Sequence, residues 1–99
     1  MVVDLKKILG FEWDKWNLDK SYKKHGIIPN ETEEVFLDED VKIEKDVKHQ
    51  QQERRFIAIG ETTENKLLFV VFTIRENKIR IISGRIANKK EKEVYQANK

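Results

Sequence analysis

The sequence predicts an α+β domain: a small antiparallel sheet, a meander of three to four strands, packed with two N-terminal helices and one C-terminal helix. Three observations carry this. Apolar stretches at 54–60, 67–75 and 78–85 follow one another with only short polar turns between them, and strands so close in sequence normally pair antiparallel. The middle stretch, LLFVVFTI, is apolar at successive positions, which suits a central strand covered on both faces. Segments with helix-cap residues flank the meander on both sides.

Taken in order, segment 4–10 places Leu5, Ile8 and Leu9 at helical spacing between a cap, Asp4, and a stop, Gly10, which predicts one or two helical turns. A brief strand is expected at 11–14. Asp14 then caps a helix running to about His25, with Trp13 and Leu18 at the staple positions and Gly26 as the left-handed stop. After Pro29, Asn30 and Glu33 have the spacing of a capping box and lead into Val35, Phe36 and Leu37, predicting a helix over 30–37. Val41, Ile43 and Val47 alternate within an acidic stretch, which suits an exposed strand or edge hairpin. Polar turns at 61–66 and 76–77 separate the three meander strands. Asn88 and Glu91 repeat the cap-plus-Glu spacing, and Ala87, Val94 and Tyr95 make a sparse apolar stripe on a helix over 88–97.

With 99 residues, the chain is the size of one domain, so residues 1–99 are expected to form a single unit. There is no cysteine, which excludes disulfides and thiolate metal sites, and His25 and His49 alone do not make a zinc site. No metal or other cofactor is expected. No window approaches the length of a membrane span, and the start MVVDLKKILG lacks the features of a signal peptide. A cytoplasmic protein without membrane contact is the expectation. The phosphate-binding glycine-rich loop and the nucleophile elbow are both missing among only four glycines.

The formal net charge is only +2, but its distribution is uneven. Between Glu31 and Asp46 stand eight acids against two lysines, whereas between Arg75 and Lys92 stand seven bases against two acids. The second region is a cationic patch able to face phosphates. Within it, regular alternation puts Arg80, Ile82 and Gly84 on one face of a strand and Ile79, Ile81, Ser83 and Arg85 on the other. Two arginines are thus mounted on a strand otherwise built for burial. Each needs a carboxylate or a phosphate: an internal ion pair with Glu53, Asp14 or another acid, or a two-point grip on phosphate that stabilises a pentacoordinate transition state. His25, beside Lys24, either meets the last carbonyls of its helix or moves a proton near neutral pH. Trp13, Trp16 and Tyr22 read as core or staple residues ahead of base-stacking platforms.

The same residues carry a resemblance to a known family. FEWDKWNLDKSYKKHGI at 11–27, EVFLD at 34–38, ERRFIAIG at 53–60, LLFVVFT at 67–73, IRIISGR at 79–85 and KEVY at 92–95 together resemble BrnT toxins. Six pieces in the right order and near the usual spacing make the resemblance specific. It implies a fold similar to RelE toxins, ribonuclease activity, and neutralisation by a BrnA-type antitoxin carrying a ribbon-helix-helix domain, so that operator DNA is reached only through the antitoxin. The chain departs from the family pattern at Asn17, Ser21 and Gly84, and residues 1–10 form an N-terminal extension. The expected function is therefore a metal-independent endoribonuclease acting on RNA and inhibiting translation. Arg80 and Arg85 would hold the phosphate and its transition-state charge, with Arg54 or Arg55 as further substrate grip. His25 and Lys24 are candidates for proton transfer, with Tyr95 a weaker one. Lys24, Lys89 and Tyr95 join the arginines as substrate contacts, and acidic antitoxin residues would compete with RNA around Arg80, Arg85 and Lys89. The rival reading, from a different class, is a toxin-fold protein that grips a nucleic acid or protein target without cleaving it.

Overall fold

The run LLFVVFTIR becomes the middle strand of a five-stranded sheet. In the computed structural model, which describes residues 8–13, 29–46 and 54–97, the elements follow as β1 (Gly10–Trp13), α1 (Pro29–Val35), β2 (Lys42–Lys45), β3 (Phe56–Glu61), β4 (Leu67–Arg75), β5 (Lys78–Ile86) and α2 (Lys89–Ala97). The strand order is β1-β5-β4-β3-β2. From β2 to β5 every neighbouring pair is antiparallel, as expected of a meander. β1 breaks that pattern. It lies parallel to β5, with Phe11 opposite Ile79 and Trp13 opposite Ile81, so the sheet is mixed and not wholly antiparallel. No tight turn joins β1 to β5, and the long intervening chain leaves room for the crossover that a parallel pair requires.

Burial follows the two-residue period of the strands. Leu68, Val70 and Phe72 of β4 are fully buried, together with Ala58 and Phe56 of β3 and Ile79 and Ile81 of β5. α1 covers this face through Val35 and Phe36. Phe36 meets Phe72 edge-on at 5.0 Å and Phe11 at 5.7 Å, while Phe72 stacks on Phe56 at 5.5 Å. These rings run across β1, β4 and β3 through the turn after α1, and such pairs each add about 0.5–1.5 kcal/mol beyond the area they bury.

Several local expectations shift by a residue or two. α1 begins at Pro29, so Asn30 lies inside the helix and is not its cap; proline is suited to a first helical position, where its missing N–H costs nothing. Beyond Val35 the chain tightens into three-residue turns, with the amides of Phe36, Leu37 and Asp38 donating to the carbonyls of Glu33, Glu34 and Val35. Ile8 and Leu9 are not helical, because the Leu9 amide donates to the Asn77 carbonyl at 2.7 Å and draws the chain into β1. The β4–β5 hairpin turns on Glu76 and Asn77, with φ of 51° and 62°, the positive values that a type I′ turn needs to match strand twist. The helix expected over 14–25, residues 4–7 and Val47 lie outside the described residues.

Gly60 lets α1 lie directly on β3. A Cβ there would meet Val35 Cγ1 at 2.8 Å, the Val35 carbonyl oxygen at 2.9 Å and Val41 Cγ2 at 3.2 Å. Gly60→Ala is expected to destabilise the domain by about 1–3 kcal/mol in chemical denaturation, as overpacking does. An unchanged midpoint would show that the helix does not rest on this strand.

Candidate functional site

The geometry of the candidate site begins with a conflict inside β5. Ile79 and Ile81 must face the core opposite Ile74 and Phe72, and Gly84 must face it opposite Val70. Positions 81 and 84 cannot share a face in a regular strand. A β-bulge resolves this: Phe72 pairs with Ile81 and Val71 with Ser83, leaving Ile82 as the extra residue. Arg80 then stands opposite Thr73, and Arg85 opposite Phe69, on the face away from α1. Regular alternation had put the two arginines on opposite faces. The bulge puts them on the same one, with Ser83 between them.

Each arginine is met by a carboxylate. On Arg85, Nη1 donates to Glu91 Oε1 at 2.8 Å and Nη2 to Oε2 at 2.7 Å, a forked pair. The guanidinium lies 4.1 Å from the centre of the Phe69 ring, a cation–π contact. Glu91 is fixed in turn, because its Oε1 accepts from the Asn88 amide at 2.9 Å while its own amide donates to Asn88 Oδ1 at 2.8 Å. This is the reciprocal capping box expected from the sequence. Hydrogen bonding to Glu91 raises the Arg85 pKa further. For Glu91, burial opposes the charged form, but the Arg85 fork and the Asn88 amide outweigh it and lower the pKa. Arg80 meets Glu12 at longer range: its Nη1 lies 3.8 Å from Glu12 Oε2, and Lys78 Nζ lies 3.7 Å from Oε1 of the same residue. Half-exposed pairs at such distances are worth about 0–1 kcal/mol each.

Of the other predicted site residues, Arg54 is exposed and Arg55 half-buried. The Arg54 carbonyl accepts a 2.6 Å bond from the Thr73 hydroxyl, which sets this backbone beside the β4 residue paired with Arg80. Lys89 opens α2 and is exposed. Tyr95 goes elsewhere: it is 3% exposed and donates its hydroxyl to Asp38 Oδ2 at 2.6 Å. Burial and the neighbouring Asp38 carboxylate push its pKa well up. Beside it, a hollow of about 380 Å³ is bordered by Glu61, Lys66, Lys92 and Gln96 and by neither arginine. Lys24 and His25 lie outside the described residues. Among the described residues no three His, Cys, Asp or Glu side chains stand together as metal ligands, and no helix is long and apolar enough to cross a membrane.

A family model described as "Ribonuclease toxin, BrnT, of type II toxin-antitoxin system" matches residues 13–91. The chain belongs to the BrnT family of ribonuclease toxins. A crystal structure of the Brucella abortus ribonuclease toxin BrnT shares the fold, with a TM-score of 0.61 at 22% identity over 81% of this chain and 97% of that one. Among curated proteins none matches the chain. As a BrnT toxin, the protein is a ribonuclease toxin of a type II toxin–antitoxin system.

Sequence reasoning missed the identity of the carboxylates in this BrnT site. Glu91 had been read only as a capping residue, and its six-residue distance from Arg85 gave no sign of an ion pair. The match appears once the Asn88 cap turns the chain from β5 into α2 and sets Glu91 beside Arg85. Glu12 was equally hidden, since only the parallel pairing of β1 sets it opposite Arg80.

Two tests follow from these contacts. Because the Glu91 pKa is lowered in the folded state, its contribution is present above the unfolded value, about 4.3, and is lost as pH falls through the lower folded value. The stability gap between wild type and Glu91→Gln should therefore be widest near neutral pH and close below about pH 4 in acid-dependent denaturation. A gap independent of pH would show that the Glu91 charge does not matter to folding. Tyr95→Phe, which leaves Asp38 without its phenolic donor, should cost about 1–2 kcal/mol; an unchanged denaturation midpoint would remove that bond from the structural account.

Proposed function

We propose that this BrnT toxin, with a RelE-like fold, is a metal-independent endoribonuclease that cuts RNA in the cytoplasm and blocks translation. The observation that carries the proposal is the placement of Arg80 and Arg85 on one sheet face by the bulge at Ile82. RNA supplies its own nucleophile. The 2′-oxygen forms a bond to phosphorus while the bond to the 5′-oxygen breaks, leaving a cyclic phosphate and a free 5′-hydroxyl. The 2′-hydroxyl gives its proton to a base, and the 5′-oxygen takes one from an acid. Extra negative charge on the pentacoordinate phosphorus is what the two guanidiniums stabilise. His25 and Lys24 are assigned to the proton transfers, and Arg54 and Arg55 to gripping the strand. Tyr95 is left to the fold, because its hydroxyl is already spent on Asp38.

Lys89 extends the cationic face past Arg85, and the partner proposed for that face is a BrnA-type ribbon-helix-helix antitoxin whose acidic residues displace RNA. Operator DNA is contacted through the antitoxin alone. Binding of this kind is tight and weakens with added salt.

Purified toxin incubated with RNA in excess chelator is expected to cleave it. Arg80→Ala and Arg85→Ala should each lower cleavage by about a hundredfold or more, the usual cost of losing a donor to developing negative charge, while thermal unfolding still shows a folded domain. Full cleavage by a stable double variant would remove the site. RNA binding without cleavage by the wild type would move the protein to the class of non-catalytic binders.

A further inference from the structure

We infer that Glu91 is a positioning residue for RNA cleavage, holding Arg85 so that one edge of its guanidinium is presented to the substrate phosphate; this rests on the assignment of Arg85 proposed above. A guanidinium carries five N–H donors in a rigid plane, arranged as an end-on fork of Nη1 and Nη2 and a side-on fork of Nε and Nη2. Glu91 fills the end-on fork with both oxygens. The remaining Nη1 hydrogen is directed to the Ile86 carbonyl at 3.3 Å. Among the described residues Nε–H and the outer Nη2 hydrogen meet no acceptor, and they form the side-on fork that fits two phosphate oxygens.

The side chain is 36% exposed, so that edge is reachable, while the Phe69 ring 4.1 Å away limits how far the plane can tilt. Glu91 itself cannot swing freely. Its carboxylate is bound to the Asn88 amide, and its backbone opens α2. The capping box that starts the C-terminal helix therefore also sets the angle of a β5 arginine, and the helix start, the ion pair and the ring act on one side chain.

The decisive experiment is a double-mutant cycle on single-turnover cleavage of an RNA oligonucleotide, using wild type, Arg85→Ala, Glu91→Gln and the double variant. Glutamine still serves a capping box, so α2 and the fold should persist, and thermal unfolding of each variant checks this. Glu91→Gln is expected to lower kcat by about tenfold to a hundredfold with little change in KM, since misplacing a substrate-orienting group costs on that order. In the Arg85→Ala background the same substitution should have no effect. Equal losses in both backgrounds would show that Glu91 acts through folding alone and would overturn the inference. So would unchanged or faster cleavage by Glu91→Gln, which would make the carboxylate a bystander or a competitor of the phosphate. If Arg85→Ala itself cleaves normally, the arginine assignment fails first. A second readout uses a 2′-deoxy oligonucleotide, which binds without being cut: the Arg85 Nε–H signal in ¹⁵N NMR should shift on titration in wild type. An unmoved signal would mean that the side-on edge does not meet phosphate.

Discussion

The central constraint of the domain is that β5 must keep facing one core along two stretches whose residues alternate in opposite phase. At its start, Ile79 and Ile81 belong under α1 with Phe72 and Ile74; near its end, Gly84 takes the place opposite Val70. Strand side chains alternate with a period of two, so odd and even positions cannot both face inward without an extra residue. Ile82 is that residue. Inserting it keeps the apolar layer continuous from β1 to β3, and it also turns the polar remainder of the strand to one side. Arg80, Ser83 and Arg85 end on a common face because the core has claimed the positions between them. The shared arginine face and the packing of the core have a single geometric origin.

The acidic stretch has a structural use that composition does not show. Glu31 Oε2 accepts from Lys66 Nζ at 2.7 Å, and Glu34 Oε1 accepts from both the amide and the hydroxyl of Thr63 at 2.9 Å. Those bonds fasten α1 to the turn between β3 and β4. Asp38 gathers the Asp40 amide, the Glu61 amide and the Tyr95 hydroxyl, joining the end of α1, β3 and α2. Charged hydrogen-bond acceptors placed on backbone amides are stronger than neutral ones, which suits a small domain whose helices are short. Several of the acids that balance the net charge are consequently occupied inside the fold.

Arg85 meets the internal-pair reading of an arginine on a buried strand, and the phosphate grip proposed above would use what that pair leaves over. A guanidinium has more donors than one carboxylate can use. Glu91 neutralises it and stops it from drifting, which limits the cost of keeping a cation near Phe69, and an edge of the plane is left over.

Much of this architecture was legible in the residues. The apolar run of β4, the Asn88–Glu91 cap, the alternation at Val41 and Ile43 and the short polar turns each identify their element from neighbours a few positions away, and local propensity and period are enough for that. The family was legible for the same reason, since its pieces are local strings in a set order. What local rules could not supply were the parallel docking of β1, the bulge at Ile82, and the pairings of Arg85 with Glu91 and of Tyr95 with Asp38. Each depends on which surfaces meet after the chain folds. Strand direction is free where no short turn imposes it, a bulge forms where two packing demands collide, and a carboxylate six or 57 residues away becomes a partner only when helix and sheet close over one another. The sequence alone determined the meander, the helices at Pro29–Val35 and Lys89–Ala97 and the family of the protein; the tertiary structure decided which faces the arginines share, because that follows from the packing of the core and not from the spacing of the residues.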